Sequence, residues 1–181
     1  MRVVSGIYKG RVLKGYDLVG TRPTMDRVKE SLFAMLQPYL KNSVCLDLFA
    51  GSGNLGIEAL SQGARSVVFV DRSKLAIQTI KENLHLLQVK DETLVLRGDF
   101  LEVLKTLSRS FDLIFLDPPY QSDYIEKSLA AIHQYSLLKE GGIVVLESDK
   151  EEKMRYDEGV YEKIKERQYG DKLVRLLRKR S

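Results

Sequence analysis

Five short runs of consecutive apolar residues alternate with longer segments in which apolar residues recur every three or four positions. The runs cover residues 44–48, 66–70, 93–96, 111–116 and 142–146. Runs this short and this apolar are typical of strands that are buried on both faces of a parallel sheet. Their alternation with helices predicts an α/β fold of the Rossmann-like type, with helices on both faces of a mostly parallel sheet.

The first helix is predicted to begin at Thr24, directly after Pro23. Thr24 can cap it, and apolar residues at helical spacing then give it one buried face. Pro38 is expected to end it, because proline cannot donate a backbone hydrogen bond. Four more helices are predicted, over residues 55–62, 73–87 and 122–135 and in a short segment after Asp99.

The start of the chain has a different pattern. Residues 2–4 and 11–13 are β-like and flank a turn-prone stretch, which predicts a short N-terminal β-hairpin. We therefore divide the chain into an N-terminal hairpin extension, residues 1–23, and one larger domain, residues 24–181.

The end of the chain carries two further segments, residues 161–169 and 172–178, split by Gly170-Asp171. A glycine between two such segments favours an antiparallel pair of strands. A helix is the alternative for this tail.

Composition is that of a soluble globular protein, with 44% hydrophobic and 30% charged residues. Cys45 is the only cysteine, so no disulfide can form within the chain. No apolar run approaches the ~20 residues that a membrane span needs, and no leader segment is recognisable at the start. We expect a cytoplasmic protein with no membrane partner.

Charge is distributed unevenly along the chain. The net charge is +4, but residues 1–43 carry +5, residues 44–162 carry −7 and residues 163–181 carry +6. Basic ends around an acidic centre suggest that the periphery holds a polyanion. The alternative is a set of solvated surface charges.

The tetrapeptide Asp117-Pro118-Pro119-Tyr120 follows the fourth apolar run. The two prolines stiffen the turn and leave its carbonyls with few local donors. Asp117 and the Pro118 carbonyl can therefore both accept hydrogen bonds from one amino group, and Tyr120 offers a face for a flat ring. This pattern indicates a binding site for the exocyclic amine of a nucleobase. A rigid turn with a capping Asp is the alternative.

A glycine-rich loop follows the first apolar run. Gly51, Gly53 and Gly56 fit the pattern G-x-G-x-x-G, which allows a tight turn and close approach of a ligand to the backbone. Asp71 ends the second strand 20 positions after Gly51, where it can bond the hydroxyls of a ribose. The pattern formally fits a dinucleotide as well, but Asp47 lies just ahead of the loop and would repel a pyrophosphate.

Three side chains favour a different cofactor. Asp47 can bond a ligand's ammonium group, directly or through water, and Asp99 can accept from an adenine amine while Phe100 packs on the ring. Together with Asp71 these carboxylates would line one sheet edge, where ligands bind in open α/β folds. An amino acid, a ribose and an adenine together make S-adenosylmethionine. Helix capping is the alternative role for Asp71 and Asp99.

Residues 5–11 and 21–33 resemble the bacterial RsmD-type 16S rRNA guanine-N2 methyltransferases, which belong to the class I methyltransferases that use S-adenosylmethionine. The resemblance covers nearly the whole chain. It implies a seven-stranded sheet with strand order 3-2-1-4-5-7-6, in which the tail supplies strands six and seven. Asn54 departs from the family, whose members usually carry a smaller residue there.

The resemblance and the patterns above give a set of expected site residues. The catalytic residues are Asp117, Pro118 and Tyr120. The cofactor-binding residues are Thr24, Arg27, Asp47, Phe49, Gly51, Ser52, Gly53, Asp71, Arg72, Asp99, Phe100 and Asp117. The RNA-binding residues are Lys9, Arg11, Arg22, Pro119 and Tyr120. No metal is expected, and surface ion pairing on a capped helix is the alternative for Arg22 and Arg27.

The expected partner is 16S rRNA within an assembly intermediate of the small subunit, and we expect a monomer. Other readings remain open: an enzyme that methylates adenine N6 in DNA or RNA or a protein amide, and a non-catalytic rRNA-binding assembly module. A nicotinamide dehydrogenase lacks an obvious hydride-transfer residue, since His85 and His133 lie in predicted helices and suit surface or packing roles.

Overall fold

The computed structural model describes residues 1–15, 23–119 and 123–181, and it describes the backbone but not the side chains of residues 23–25. The predicted site residues Arg22 and Tyr120 lie outside these ranges, as does the side chain of Thr24.

Seven strands form one sheet in the order β3-β2-β1-β4-β5-β7-β6. Strands β1 to β5 run parallel to one another, while β7 is antiparallel to both β5 and β6. This confirms the predicted sheet and strand order, and the tail forms two strands rather than a helix. The strands are β1 Val44–Leu48, β2 Ser66–Asp71, β3 Glu92–Arg97, β4 Phe111–Leu116, β5 Leu138–Asp149, β6 Tyr161–Tyr169 and β7 Lys172–Lys179.

Helices cover both faces of the sheet, as predicted. On one face α1, α2 and α3 pack against strand residues such as Cys45, Phe69 and Phe115. On the other face α4 and α5 pack against Leu46 and Ile114. The helices are α1 Pro23–Leu40, α2 Asn54–Ser61, α3 Lys74–Leu86, α4 Phe100–Thr106 and α5 Tyr124–Gln134.

The central strands are apolar because both of their faces are covered. Every residue of β1 is buried, whereas β3 at the sheet edge has only exposed and half-buried positions. Cys45 is fully buried in β1, and burial raises the pKa of its thiol to about 12.

Helix α1 corrects one prediction. Pro38 does not end the helix but lies inside its last turn, and the helix continues to Leu40. The lost hydrogen bond is tolerated because Pro38 is exposed near the helix end, while Leu40 is only 1% exposed and packs into the core.

Strand β5 is longer than the predicted residues 142–146. Its first residue, Leu138, pairs with Phe111 ahead of a register shift. Its last three residues extend past the end of β4 and pair with β7, where Asp149 lies opposite Lys172. The antiparallel partner therefore carries β5 beyond the parallel part of the sheet.

The N-terminal segment, residues 1–15, forms one antiparallel bridge, between Arg2 and Val12. Its side chains Val3, Val4 and Leu13 are buried in the core. The two predicted β segments therefore pair, but less extensively than a regular hairpin. In the ranges that the structure describes, no helix is long and apolar enough to cross a membrane.

Candidate active site

The glycine loop connects β1 to α2 at the edge where the parallel strands end. Phe49, Gly51 and Gly53 all have positive φ values, of 65°, 59° and 84°. Such a backbone favours glycine, because a Cβ atom clashes there in most residues. The Ala50 N–H donates to the Val70 carbonyl at 2.9 Å, which ties the loop to the end of β2.

Asp71 holds the same loop from the end of β2. Its Oδ2 accepts from the Gly51 N–H at 2.9 Å, and its Oδ1 accepts from the Ser73 N–H at 2.9 Å. Each carboxylate oxygen can accept more than one hydrogen bond, and the side chain is only half-buried. Asp71 can therefore support the loop and still accept from a ligand's hydroxyl groups.

Asp47 lies beneath the loop and is only 2% exposed. Its Oδ2 accepts from the Gly56 N–H at 2.9 Å, in the first turn of α2. Burial raises the pKa of this carboxyl well above its usual value, and the Gly56 hydrogen bond opposes the rise. The predicted contact with a ligand's ammonium group stays a prediction, since the structure gives Asp47 a partner inside the protein.

Asp99 caps helix α4, which is the alternative role considered for it. Its exposed side chain accepts from the N–H groups of Leu101 at 3.0 Å and Glu102 at 3.2 Å. Both bonds are accepted by Oδ1, which leaves Oδ2 as an acceptor for a ligand, and a contact with an adenine amine stays a prediction.

Three aromatic rings lie together beside these carboxylates. Phe100, 8% exposed, is 5.0 Å from Phe49 and 4.8 Å from Tyr124 between ring centroids, and Phe49 stacks on Tyr124 at 5.8 Å. Tyr124 was not predicted as a site residue. Its position four residues after Tyr120 was the available signal.

The proline turn begins where β4 lies beside β1. Leu116, the last residue of β4, pairs with Leu48, the last residue of β1, so Asp117 and the glycine loop start side by side. Asp117 and Pro119 are exposed, while Pro118 is buried. Desolvation by the surrounding protein atoms raises the pKa of the Asp117 carboxyl to about 6, and the charge of Lys172 opposes the rise.

Sequence reasoning missed a second acidic side chain, Glu147, beside Asp117. Because Leu116 pairs with Leu146, Glu147 follows at the position corresponding to Asp117 on the neighbouring strand. Burial raises the pKa of Glu147 to about 8, and the charges of Asp117 and Asp149 add to the rise. The acidic end of β5 was the signal that could have revealed this group.

The remaining predicted site residues are distributed over several elements. Ser52 is buried in the glycine loop, Arg72 is exposed after β2, and Arg27 is exposed on α1. Lys9 and Arg11 are exposed on the N-terminal segment. Arg11 donates to the Leu86 carbonyl at 3.1 Å, at the end of α3.

The two histidines lie on helices, as predicted. His133 is exposed near the end of α5. His85 lines an open groove of about 440 Å³ along α3. Among the described residues no group of three or more potential ligands is placed to hold a metal ion.

The strand order and the loops at this edge define a Rossmann-like fold of the class I methyltransferase type. A family model described as "Conserved hypothetical protein 95" matches residues 1–178, and the chain belongs to this family, which is the RsmD family.

Known proteins resemble the chain over most of its length. The Bacillus subtilis protein named "Putative rRNA methyltransferase YlbH" is 43% identical over 183 residues, covering 99% of this chain and all of that protein. The Haemophilus influenzae "Ribosomal RNA small subunit methyltransferase D" is 38% identical over 154 residues, covering 83% of this chain and 80% of that protein. The solved structure named "Putative methyltransferase yhhF from Escherichia coli" superimposes with a TM-score of 0.87 at 28% identity, covering 100% of this chain and 98% of that one.

Proposed function

We propose that this protein transfers a methyl group from S-adenosylmethionine to the exocyclic N2 amine of a guanine in 16S rRNA of the small ribosomal subunit. The observation that carries the proposal is the position of Asp117, at the end of β4 and directly beside the glycine loop. A relative named for small-subunit rRNA methylation, 38% identical to this chain, supports ribosomal RNA as the substrate.

The residues around the glycine loop fit the chemistry of S-adenosylmethionine. Asp71 would accept from the ribose hydroxyls, and Phe49 and Phe100 provide an apolar surface for the adenine. Asp99 would accept from the adenine amine, and Asp47 would face the ammonium group, directly or through water. The remaining expected contacts are Thr24, Arg27, Gly51, Ser52, Gly53 and Arg72. When bound, this cofactor supplies a methyl group that is already activated by its positive sulfur.

Asp117 and the Pro118 carbonyl would accept the two hydrogens of the guanine amine. The lone pair of that nitrogen is delocalised into the ring, and two acceptors favour the pyramidal form that is nucleophilic. They also stabilise the positive charge that develops on nitrogen during transfer. Because the turn is stiffened by two prolines, the acceptors are positioned before the substrate arrives.

The proton released by the methylated amine can pass to Asp117. A carboxylate with an ordinary pKa is a weak base for this step. The pKa of about 6 makes Asp117 a better acceptor while leaving it mostly ionised at neutral pH. Proton acceptance by Asp117 is part of the proposal, in addition to its positioning role.

The RNA would contact the basic N-terminal extension, residues 1–23, through Lys9, Arg11 and Arg22. Pro119 and Tyr120 would contact the target base, with Tyr120 stacked on its ring. A base inside a helix must first be extruded from its stack. We propose that the substrate is a partly assembled small subunit and that the enzyme acts as a monomer in the cytoplasm, without a metal.

The proposal is tested with methyl-labelled cofactor and four substrates: free 16S rRNA, partly assembled small subunits, duplex DNA and a protein fraction. The rRNA and subunits come from cells that lack the protein, and mass mapping identifies the modified nucleotide. We expect label in N2-methylguanine of 16S rRNA, and about 10²–10³-fold slower transfer by Asp117→Ala. Label in N6-methyladenine or in protein, or near-normal transfer by Asp117→Ala, would contradict the proposal.

A further inference from the structure

The N-terminal segment, residues 1–15, is bonded to both residues that flank Gly53 in the glycine loop. One buried side chain joins Arg2 to Asn54, and a second joins Lys14 to Ser52. The two ends of the segment are thus attached on either side of the same glycine.

The first bridge is Lys29 of helix α1, which is 4% exposed. Its Nζ donates to the Arg2 carbonyl at 2.6 Å and to Asn54 Oδ1 at 2.7 Å. Its third partner is Glu58 Oε1 at 3.1 Å. An ammonium group has three protons, so all of its donor capacity is used inside the protein.

The second bridge is Asn83 of helix α3, which is fully buried. Its Oδ1 accepts from the Lys14 N–H at 2.8 Å, and its Nδ2 donates to the carbonyls of Lys14 and Ser52, both at 3.0 Å. The same amide group therefore holds the backbone of the segment and the backbone of the loop.

The turn of the segment is fixed against helix α2. Glu58 accepts from the N–H groups of Val4 at 2.9 Å and Ser5 at 3.2 Å. Gly6 lies so close to α2 that a Cβ atom there would be 1.9 Å from the Ser61 carbonyl oxygen. The segment can dock in this way only with glycine at position 6.

We infer that the N-terminal segment positions the glycine loop through Lys29 and Asn83, so that cofactor affinity depends on how this segment docks. The inference rests on the proposed function, which assigns the loop to the cofactor and the segment to RNA. Lys29 and Asn83 act as positioning residues, since they hold Asn54 and Ser52 rather than the cofactor.

The physical basis is the conformation of the loop. Phe49 has a positive φ, which a residue other than glycine keeps only when its surroundings hold it, and Gly51 and Gly53 give the loop little conformational preference of its own. The side chains of Asp71 and Asp47 fix the loop and the helix that follows it from the sheet side. The two bridges fix it from the segment side, and buried polar networks of this kind maintain one geometry because their groups have no other partners.

The decisive experiment compares Gly6→Ala with Gly10→Ala. Both glycines have nearly the same positive φ, 85° and 83°, but a Cβ atom on Gly10 meets nothing within 4 Å. Both variants therefore place a side chain on a residue with positive φ, but only Gly6→Ala creates a clash with α2. Neither residue belongs to the glycine loop.

Affinity is measured by calorimetry with S-adenosylhomocysteine, the product of the proposed reaction. We expect Gly6→Ala to weaken binding about tenfold, the effect of one lost supporting hydrogen bond. Gly10→Ala should stay within about twofold of wild type. In steady-state assays the KM for the cofactor should rise with kcat at saturation unchanged, which a general loss of stability would not produce.

Amide hydrogen exchange at Val3 and Leu13 reports whether the segment has loosened. If exchange shows that the segment has loosened in Gly6→Ala, and this variant binds S-adenosylhomocysteine as tightly as Gly10→Ala does, the inference is wrong. If the segment has not loosened, Asn83→Leu decides, with Thr79→Val as a buried polar-to-apolar control on the same helix. Asn83→Leu removes the acceptor for Lys14 and both donors, so unchanged affinity overturns the inference. Wild-type protein that fails to bind S-adenosylhomocysteine would instead overturn the proposed function.

Discussion

Replacing Lys29 by Met tests the buried ion pair that joins α1 to α2. Lys29 and Glu58 are 4% and 0% exposed, and their charged atoms are 3.1 Å apart. The substitution keeps an unbranched side chain of similar size but leaves the Glu58 charge buried without its counter-ion. Removing one partner of such a pair costs about 3–5 kcal/mol.

The surroundings of Glu58 place the expected loss near the lower end of that range. Its carboxylate also accepts from the Val4 and Ser5 N–H groups and from Gln62 Nε2 at 2.8 Å. Hydrogen bonds to a carboxylate stabilise its charged form. We therefore expect Lys29→Met to lower the free energy of unfolding by about 3 kcal/mol.

The control is the double variant Lys29→Met/Glu58→Gln, which removes both charges. Its glutamine oxygen can still accept from the N-terminal segment, so the loss should be smaller, about 1–2 kcal/mol. Urea unfolding curves give both values, provided that the slope m is unchanged. A double variant that is less stable than Lys29→Met, or a loss by Lys29→Met of less than ~1 kcal/mol, would refute the reasoning.

Three further predictions concern the site and its support. Methyl transfer should fall as pH drops through about 6, because a protonated Asp117 cannot take up the proton that the amine releases. Profiles of kcat/KM measured from pH 5 to 9 check this, and a flat acid limb would contradict it. Glu147 binds its proton more tightly in the folded state, because its pKa there is about 8 rather than the usual 4.5. Its contribution to stability is therefore complete below pH 4.5 and is lost as pH rises through about 8. Glu147→Gln should flatten the decline in Tm between pH 6 and 9, and a decline parallel to that of wild type would contradict this. Gly56→Ala should destabilise by about 1–3 kcal/mol, since a Cβ atom would lie 2.3 Å from a carbon of the Phe69 ring; urea unfolding would detect a gain instead if helix propensity dominated.

The sheet could be predicted because its strands are buried on both faces. Apolar runs of four to six residues have few alternatives in a chain of this composition, and β4 matches its predicted bounds, residues 111–116. The tail could be predicted as strands because Gly170 separates its two segments, and the structure places this glycine, with a positive φ, in the turn between β6 and β7. The strand order came from the family resemblance rather than from the apolar pattern.

The support of the site could not be predicted from the sequence. Lys29 and Asn83 lie in helices where a single polar residue is normally a surface residue, and only the three-dimensional contacts reveal that both are buried. Pro38 illustrates the opposite error, since burial of Leu40 outweighs a local rule about proline. Glu147 escaped notice because its charge interaction with Asp117 depends on strand register.

Cys45 gives the molecule an internal chemical reporter. It is the only cysteine in the sequence, and its thiol is fully buried in the middle of the sheet. Alkylating reagents react with the thiolate, and burial both blocks access to Cys45 and keeps its thiol protonated. Labelling should therefore require the central strands to separate. The labelling rate would then measure opening of the whole sheet, and it would distinguish variants that loosen only the N-terminal segment from variants that unfold the protein.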